Sequence, residues 1–194
     1  MKKFFALCLG FVSLLAVSAT ETKAVTLNVV GGQLLGVSGL DVDGTLYDVE
    51  FVDGTCAALF SGCDEQSDFA LNAGNILAAL AALDSLFDNN PVFDDIPGNV
   101  SGCGSLARCF VVSPYAPMSG FDRSLTGNLQ NDQVEANDQF YLTNYDIFQD
   151  FGGPNNSLVY AVWSVAEVPL PASMPILVAG LGGLVLIRRR RKAS

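Results

Sequence analysis

The chain has 194 residues, with 10 Lys and Arg against 20 Asp and Glu, five Cys and no His, for a formal net charge of -10. Without an imidazole, Ser-His-Asp and Cys-His nucleophile systems and His-ligated metal centres are excluded. The acidic balance excludes nucleic acid as a partner, because affinity for a phosphate backbone comes mainly from Lys and Arg that displace counterions.

In chain order, the first element is a basic head, Lys2 and Lys3, followed by the 14 apolar positions Phe4 to Val17 and the small residues Ser18 and Ala19. This is the layout of a secretory signal peptide and is too short for a spanning helix. Small residues at alternate positions allow cleavage after Ala19 or after Ala24. Export machinery and a signal peptidase are the partners expected for this segment.

Residues 25–168 then form an acidic domain of 144 residues, the size of a single fold. Its only basic residues are Arg108 and Arg123 against 19 acids, so its net charge is -17. The whole-chain value hides this, because most of the positive charge lies at the two ends. Cation binding or a salty medium would relieve the self-repulsion of such a domain.

Apolar periodicity within the domain gives mostly strands. Val25 to Val30 is the first. Asp41-Val42-Asp43-Gly44 follows and matches the opening of a calcium loop, with Asp41 and Asp43 as hard oxygen ligands. An EF-hand needs Gly at its sixth position and Glu at its twelfth, which are Leu46 and Val52 here, so a turn into the next strand is the competing reading. From Thr45 to Val52 the pattern alternates, Tyr47, Val49 and Phe51 on one face and Asp48 and Glu50 on the other. Ala57 to Phe60 is a short strand candidate. Ile76, Leu80, Leu83 and Phe87 fall at helical spacing, with Asn72 or Asn75 as the cap and Asn89-Asn90-Pro91 as the stop. Cys109 to Ser113 reads as a strand, and the polar stretch Gly127 to Asn137 as an exposed loop. Gln139 to Thr143, Asp146 to Phe148 and Ser157 to Val165 complete the set. The expected fold is mostly β, sandwich-like or a small α+β domain, with one packed amphipathic helix.

Cys56, Cys63, Cys103 and Cys109 remain after the signal segment, an even number in an exported chain, which implies two disulfides. Three pairings are possible. Cys56 with Cys63 and Cys103 with Cys109 are favoured, because each pair is close in sequence and brackets turn formers, Ser61-Gly62 and Gly104-Ser105.

Paired carboxylates could serve glycoside hydrolysis, but among 19 acids such pairs arise by chance. Asp94-Asp95, and Asp132 with Glu135 and Asp138, could ligate a cation. Tyr160 and Trp163 could stack on a sugar such as an extracellular polysaccharide, yet an alternating strand puts them on opposite faces. No cofactor other than calcium is expected, and no enzymatic activity.

The chain closes on three parts in fixed order: Val168-Pro169-Leu170-Pro171-Ala172, the apolar stretch Met174 to Ile187, and Arg188, Arg189, Arg190, Arg191 and Lys192. The 14 apolar residues span about 21 Å as a helix at roughly 1.5 Å per residue, short of a hydrocarbon core of roughly 30 Å. Pro169, Pro171 and Pro175 break any N-terminal extension of that helix. The basic cluster orients the segment with its C-terminus cytoplasmic. A permanent tail anchor is the plain reading.

This three-part end resembles the PEP-CTERM protein-sorting signal in its VPLPA variant. The resemblance implies a Gram-negative bacterium and an exosortase, a membrane protease that cleaves near the Pro-containing motif. It also implies that Val168, Pro169, Leu170, Pro171 and Ala172 are recognised while the apolar stretch and Arg188 to Lys192 hold the substrate in the membrane. The domain itself, through Asp41-Val42-Asp43-Gly44-Thr45-Leu46-Tyr47 and the Gly54-Thr55-Cys56 and Gly62-Cys63-Asp64 segments, is similar only to uncharacterised exported proteins with this tail. The expectation is therefore an exported surface or extracellular-matrix protein without catalysis, held for a time in the inner membrane. A calcium- or glycan-binding adhesion module is the alternative.

Overall fold

The computed structural model describes residues 24–104, 107–134, 138–151 and 157–167. The N-terminal segment read as a signal peptide, the expected sorting residues Val168 to Ala172, the apolar stretch after them and the basic cluster lie outside these residues. Seven strands form one mixed sheet: β1 (Thr26–Val30), β2 (Gln33–Val42), β3 (Thr45–Val52), β4 (Arg108–Pro117), β5 (Arg123–Asp132), β6 (Gln139–Asp146) and β7 (Leu158–Val165), in the order β1-β2-β3-β7-β4-β5-β6. All neighbours are antiparallel except β4 and β7. The fold is mostly β, as the alternation in Thr45–Val52 and Ser157–Val165 implies. Its last strand in sequence lies in the middle of its sheet.

Local chemistry sets the register. Gly31 and Gly32 take φ of 60° and 87°, and Asp43 and Gly44 take 51° and 83°. Two consecutive positive φ values are what a two-residue hairpin turn needs to match the twist of its strands. The second of these turns is the Asp-x-Asp-Gly motif. Asp48 stabilises an irregularity in β2 by accepting a hydrogen bond from the Gly39 amide at 2.9 Å, where the β2–β3 register shifts between Val37 and Leu40. β2 is absent from the sequence reading because Gly36 and Gly39 interrupt its apolar pattern. Gly36 is required there, since a Cβ would sit 2.4 Å from the Val49 carbonyl.

Among the described residues, three α-helices accompany the sheet: α1 (Cys56–Leu59), α2 (Ile76–Asp88) and α3 (Pro91–Asp94). α2 is the expected amphipathic helix and buries Ile76, Ala79, Leu80, Leu83, Leu86 and Phe87. Asn75 is its cap position, although its side-chain oxygen accepts from the Asn72 amide, not from the first helical turn. At the far end, Asn89 and Asn90 donate from Nδ2 to the Ser85 and Leu86 carbonyls, both at 2.6 Å. These bonds satisfy carbonyls that a helix end otherwise leaves unpaired, and Pro91 begins α3.

Both faces of the sheet are covered. On one face, α2 packs against Leu34, Val49, Phe51, Val111, Leu129, Val159 and Trp163. Gly127 permits this contact, since a Cβ there would meet Ile76 and Leu80 at 2.7 and 2.8 Å. On the other face, Tyr160 stacks on Phe151 with ring centres 4.8 Å apart and meets Phe60 edge-on at 5.9 Å. The Cys56–Cys63 disulfide closes this second cluster, and Cys103 is bonded to Cys109. The pairing is the one favoured from spacing.

Three expectations are corrected. Ala57 to Phe60 is helical, within and just after α1, because Thr55 caps it by accepting a hydrogen bond from the Ala58 amide at 3.2 Å and Ala-Ala-Leu is a helix-forming run. Gly127 to Asn137 is not a loop as a whole; residues 127–132 belong to β5, where the polar side chains are buried. Asp146 to Phe148 is not a separate strand: Asp146 ends β6, and its carboxylate accepts from the Phe148 amide at 2.8 Å in the following turn.

Two measurements check this packing. Gly127→Ala should destabilise the protein by about 1–3 kcal/mol, the usual cost of overpacking, read as a lower denaturant midpoint. Replacing Cys56 and Cys63 by Ser should cost about 2.5 kcal/mol by the loop-closure estimate, and an unchanged urea midpoint would contradict the role of that bond.

Candidate functional site

Asp41 and Asp43 occupy the β2–β3 turn. The Asp41 carboxylate accepts a hydrogen bond from the Gly44 amide at 2.7 Å, the contact that shapes an Asx-type turn. Both residues are exposed. Among the described residues, no third carboxylate joins them to make a group of metal-ligand spacing. Tyr160 and Trp163 are both core residues on opposite faces, 0% and 6% exposed. Trp163 donates from Nε1 to the Ser113 hydroxyl at 3.0 Å and meets Tyr47 edge-on at 5.8 Å, so neither ring faces a sugar.

Two clefts mark the surface. A 380 Å³ groove between β1 and α2 is lined by Val25, Leu27, Leu40, Ala82, Leu86 and neighbouring polar residues, none of them titratable. A 270 Å³ cleft beside the β4–β5 turn carries Asp64, Asp122 and Arg123.

One group of carboxylates is assembled by the fold. Asp84 and Asp88 of α2 and Asp138, just before β6, present oxygens within 4.8 Å of one another. The positions follow from the packing of α2. Ile76 and Leu80 lie over Gly127, and the next ridge positions on the helix are Asp84 and Asp88. Eight residues of helix and four of strand each advance roughly 12–13 Å, so this ridge reaches the end of β5 near Asn131. The β5–β6 ladder ends with Gln130 opposite Gln139, so Asp138, the residue before Gln139, lies at this end of β5. The Asp132 amide holds Asp138 in place by donating to its Oδ1 at 2.7 Å.

The electrostatics are those of crowded like charges. Burial pushes the Asp138 carboxyl up to about 6; the Asp132 amide works against this, and Asp94, Asp84 and Asp132 add to it. Asp84 is raised by burial and by Asp88. Arg108, one of the two basic residues in residues 24–167, is engaged by Asp132 at 2.9 Å. Arg123 lies at the opposite end of β5.

On the face of β5 opposite to this group runs a row of buried polar side chains: Ser124, Thr126 and Asn128, each 0% exposed, then Gln130 and Asp132. Asn128 donates to the Thr126 hydroxyl at 3.2 Å, Gln130 donates to Asp132 at 3.5 Å, and Gln139 donates to Gln130 at 3.5 Å. The Ser124 hydroxyl lies 3.6 Å from Cys56 Sγ.

The sequence reading included Asp132 and Asp138 but not Asp84 and Asp88. The available signal was the i,i+4 pairing of two acids with no basic neighbour, which costs an isolated helix a few tenths of a kcal/mol. Of the other residues singled out, Asp94 is buried while Asp95 is exposed, and Glu135 lies outside the described residues.

Asp138 should titrate visibly. Its folded pKa is raised above the unfolded value, so the folded state holds the proton more tightly and stability falls as pH rises from about 4 through 6. Asp138→Asn keeps an oxygen for the Asp132 amide and removes the charge. In chelator-treated buffer the variant should flatten that part of the stability profile and melt higher than the parent at pH 7. No protein-family model, no curated protein and no solved structure matches the chain.

Proposed function

We propose that the chain is an exported, exosortase-processed surface or extracellular-matrix protein of a Gram-negative bacterium, without catalysis. The observation that carries this reading is the ordered end of the sequence: Val168-Pro169-Leu170-Pro171-Ala172, a Gly-rich apolar stretch, then Arg188 to Lys192, in a chain that opens with Lys2-Lys3 and an apolar core. A signal peptidase and an exosortase are its processing partners, and the inner membrane holds it transiently with the C-terminus cytoplasmic. An extracellular polysaccharide is the partner expected at its destination.

Two features of the domain support the reading. Disulfides persist in oxidising compartments and are rare in the cytosol, and this domain has two. A net charge of -17 over residues 25–168 favours solubility once the tail is gone. The absence of His from the whole chain supports display over catalysis.

Intact-mass spectrometry of the protein recovered from the native host tests the reading. The expected mature species begins after Ala19 or Ala24 and has lost Arg188 to Lys192. A host lacking its exosortase should retain the unprocessed tail in the membrane fraction, as should a chain with Pro169→Ala and Pro171→Ala. A tail still present in the processing-competent host would instead establish a permanent anchor.

A further inference from the structure

The acidic group at the end of α2 has a neutral neighbour whose position calls for a cation. Asn131 is 1% exposed, and its Nδ2 donates to the Phe93 carbonyl of α3 at 2.9 Å. That bond fixes the plane of the amide. Its Oδ1 is buried and has no hydrogen-bond partner. An amide oxygen stripped of water without a partner is destabilising, so the fold retains it against a penalty.

The face that Asn131 occupies follows from the strand. Asn131 shares a face with Gly127 and Leu129, the face on which α2 packs. Asp138 lies one residue beyond the last β5–β6 pair, Gln130 with Gln139, and its Oδ1 accepts from the Asp132 amide next to Asn131. Nδ2 is taken by the Phe93 carbonyl of α3, which leaves Oδ1 as the unpartnered end of the amide on the α2 face, at the end of β5 that carries Asp84, Asp88 and Asp138.

We propose that Asp84, Asp88 and Asp138, together with Asn131 Oδ1, bind one calcium ion. Three carboxylates and an amide oxygen are all hard donors, which suit calcium or magnesium and give no nitrogen or sulfur for zinc or copper. Oxygens within 4.8 Å of one another can share an ion at calcium bond lengths of roughly 2.3–2.6 Å, whereas magnesium needs about 2.0–2.1 Å in strict octahedral order and keeps most of its water. Four protein oxygens leave two to four positions for water in the usual calcium shell of about six to eight. The ion also supplies the charge that the chain lacks here, since Arg108 is held by Asp132 and Arg123 is at the far end of the strand. By joining α2 to the start of β6, it locks the helix to the half of the sheet that ends in an exposed edge strand. This site is independent of how the tail is processed.

The test is calorimetric titration of the full chain, purified in detergent and freed of metal by chelation, with calcium chloride and separately with magnesium chloride. One calcium per chain is expected, with magnesium at least tenfold weaker. Asp88→Asn alters an exposed helix position and leaves folding intact; it should weaken calcium at least tenfold, and Asp84→Asn with Asp88→Asn should abolish the signal. Asn131→Asp supplies a charged oxygen at the same place and should tighten binding. Asp41→Asn with Asp43→Asn should bind as the parent does. The proposal is overturned by an absence of calcium binding up to about 10 mM, ten times the weakest extracellular sites. It is equally overturned by an Asp84/Asp88 variant that binds like the parent, by loss of binding on changing Asp41 and Asp43, or by an Asn131→Asp chain that binds no tighter.

Discussion

A missing side chain governs the arrangement of this domain. At Gly127 the backbone of β5 is bare, and Ile76 and Leu80 fill the space that a Cβ would occupy. Close approach of a helix to a sheet fixes the helix in two directions, because its apolar ridge must then follow the strand beneath. The residues next along that ridge are placed by geometry alone. For α2 they are Asp84 and Asp88, and they arrive beside Asp138 although neither strand nor helix gains stability from that meeting. The charged cluster is thus a consequence of an apolar contact one to two turns away.

The sheet is made to be covered on both sides, which is unusual for a largely antiparallel sheet in a small domain. β7 shows how. Val159, Ala161 and Trp163 enter the α2 core, while Tyr160 enters the smaller aromatic cluster with Phe60 and Phe151. Among the described residues, no long helix lies above the second cluster. It is closed by the four residues of α1 and by the Cys56–Cys63 bond, so a covalent link takes the place of the area that a longer helix would have buried. For a chain of this size, a disulfide offsets a core too small to order the loop by itself.

Much of this was legible in the sequence where one physical signal dominated. β3 announces itself through Tyr47, Val49 and Phe51 alternating with Asp48 and Glu50, and all three apolar residues are buried. α2 appears at the expected spacing, and the cysteines pair with their near neighbours. β5 was hidden because every second side chain, Ser124, Thr126, Asn128, Gln130 and Asp132, is polar and yet buried, on the face away from α2. A polar residue satisfied by its neighbours can be buried as completely as a valine, and hydropathy cannot tell that case from a loop. The same limit explains the metal-ligand candidates. Asp41 and Asp43 form a visible motif because they are adjacent, and adjacency serves a turn. Asp84, Asp88 and Asp138 are separated by more than one strand, and only the docking of α2 joins them.

The position of β7 has a bearing on the order of events in the life of the chain. β1 to β3 and β4 to β6 form two three-stranded halves, and each presents an unpaired inner edge, at β3 and at β4, until Leu158–Val165 slots between them. Pairings between segments far apart in sequence form late, after the cost of closing the intervening chain has been met. Here the segment that unites the halves ends at Val165, three residues before Val168. Under the export proposed for this chain, threading outward from the N-terminus would leave it incompletely folded, and compatible with a narrow channel, until nearly all of the domain had crossed. On that proposal, completion of the sheet and arrival of Val168–Ala172 at the membrane would be the same moment.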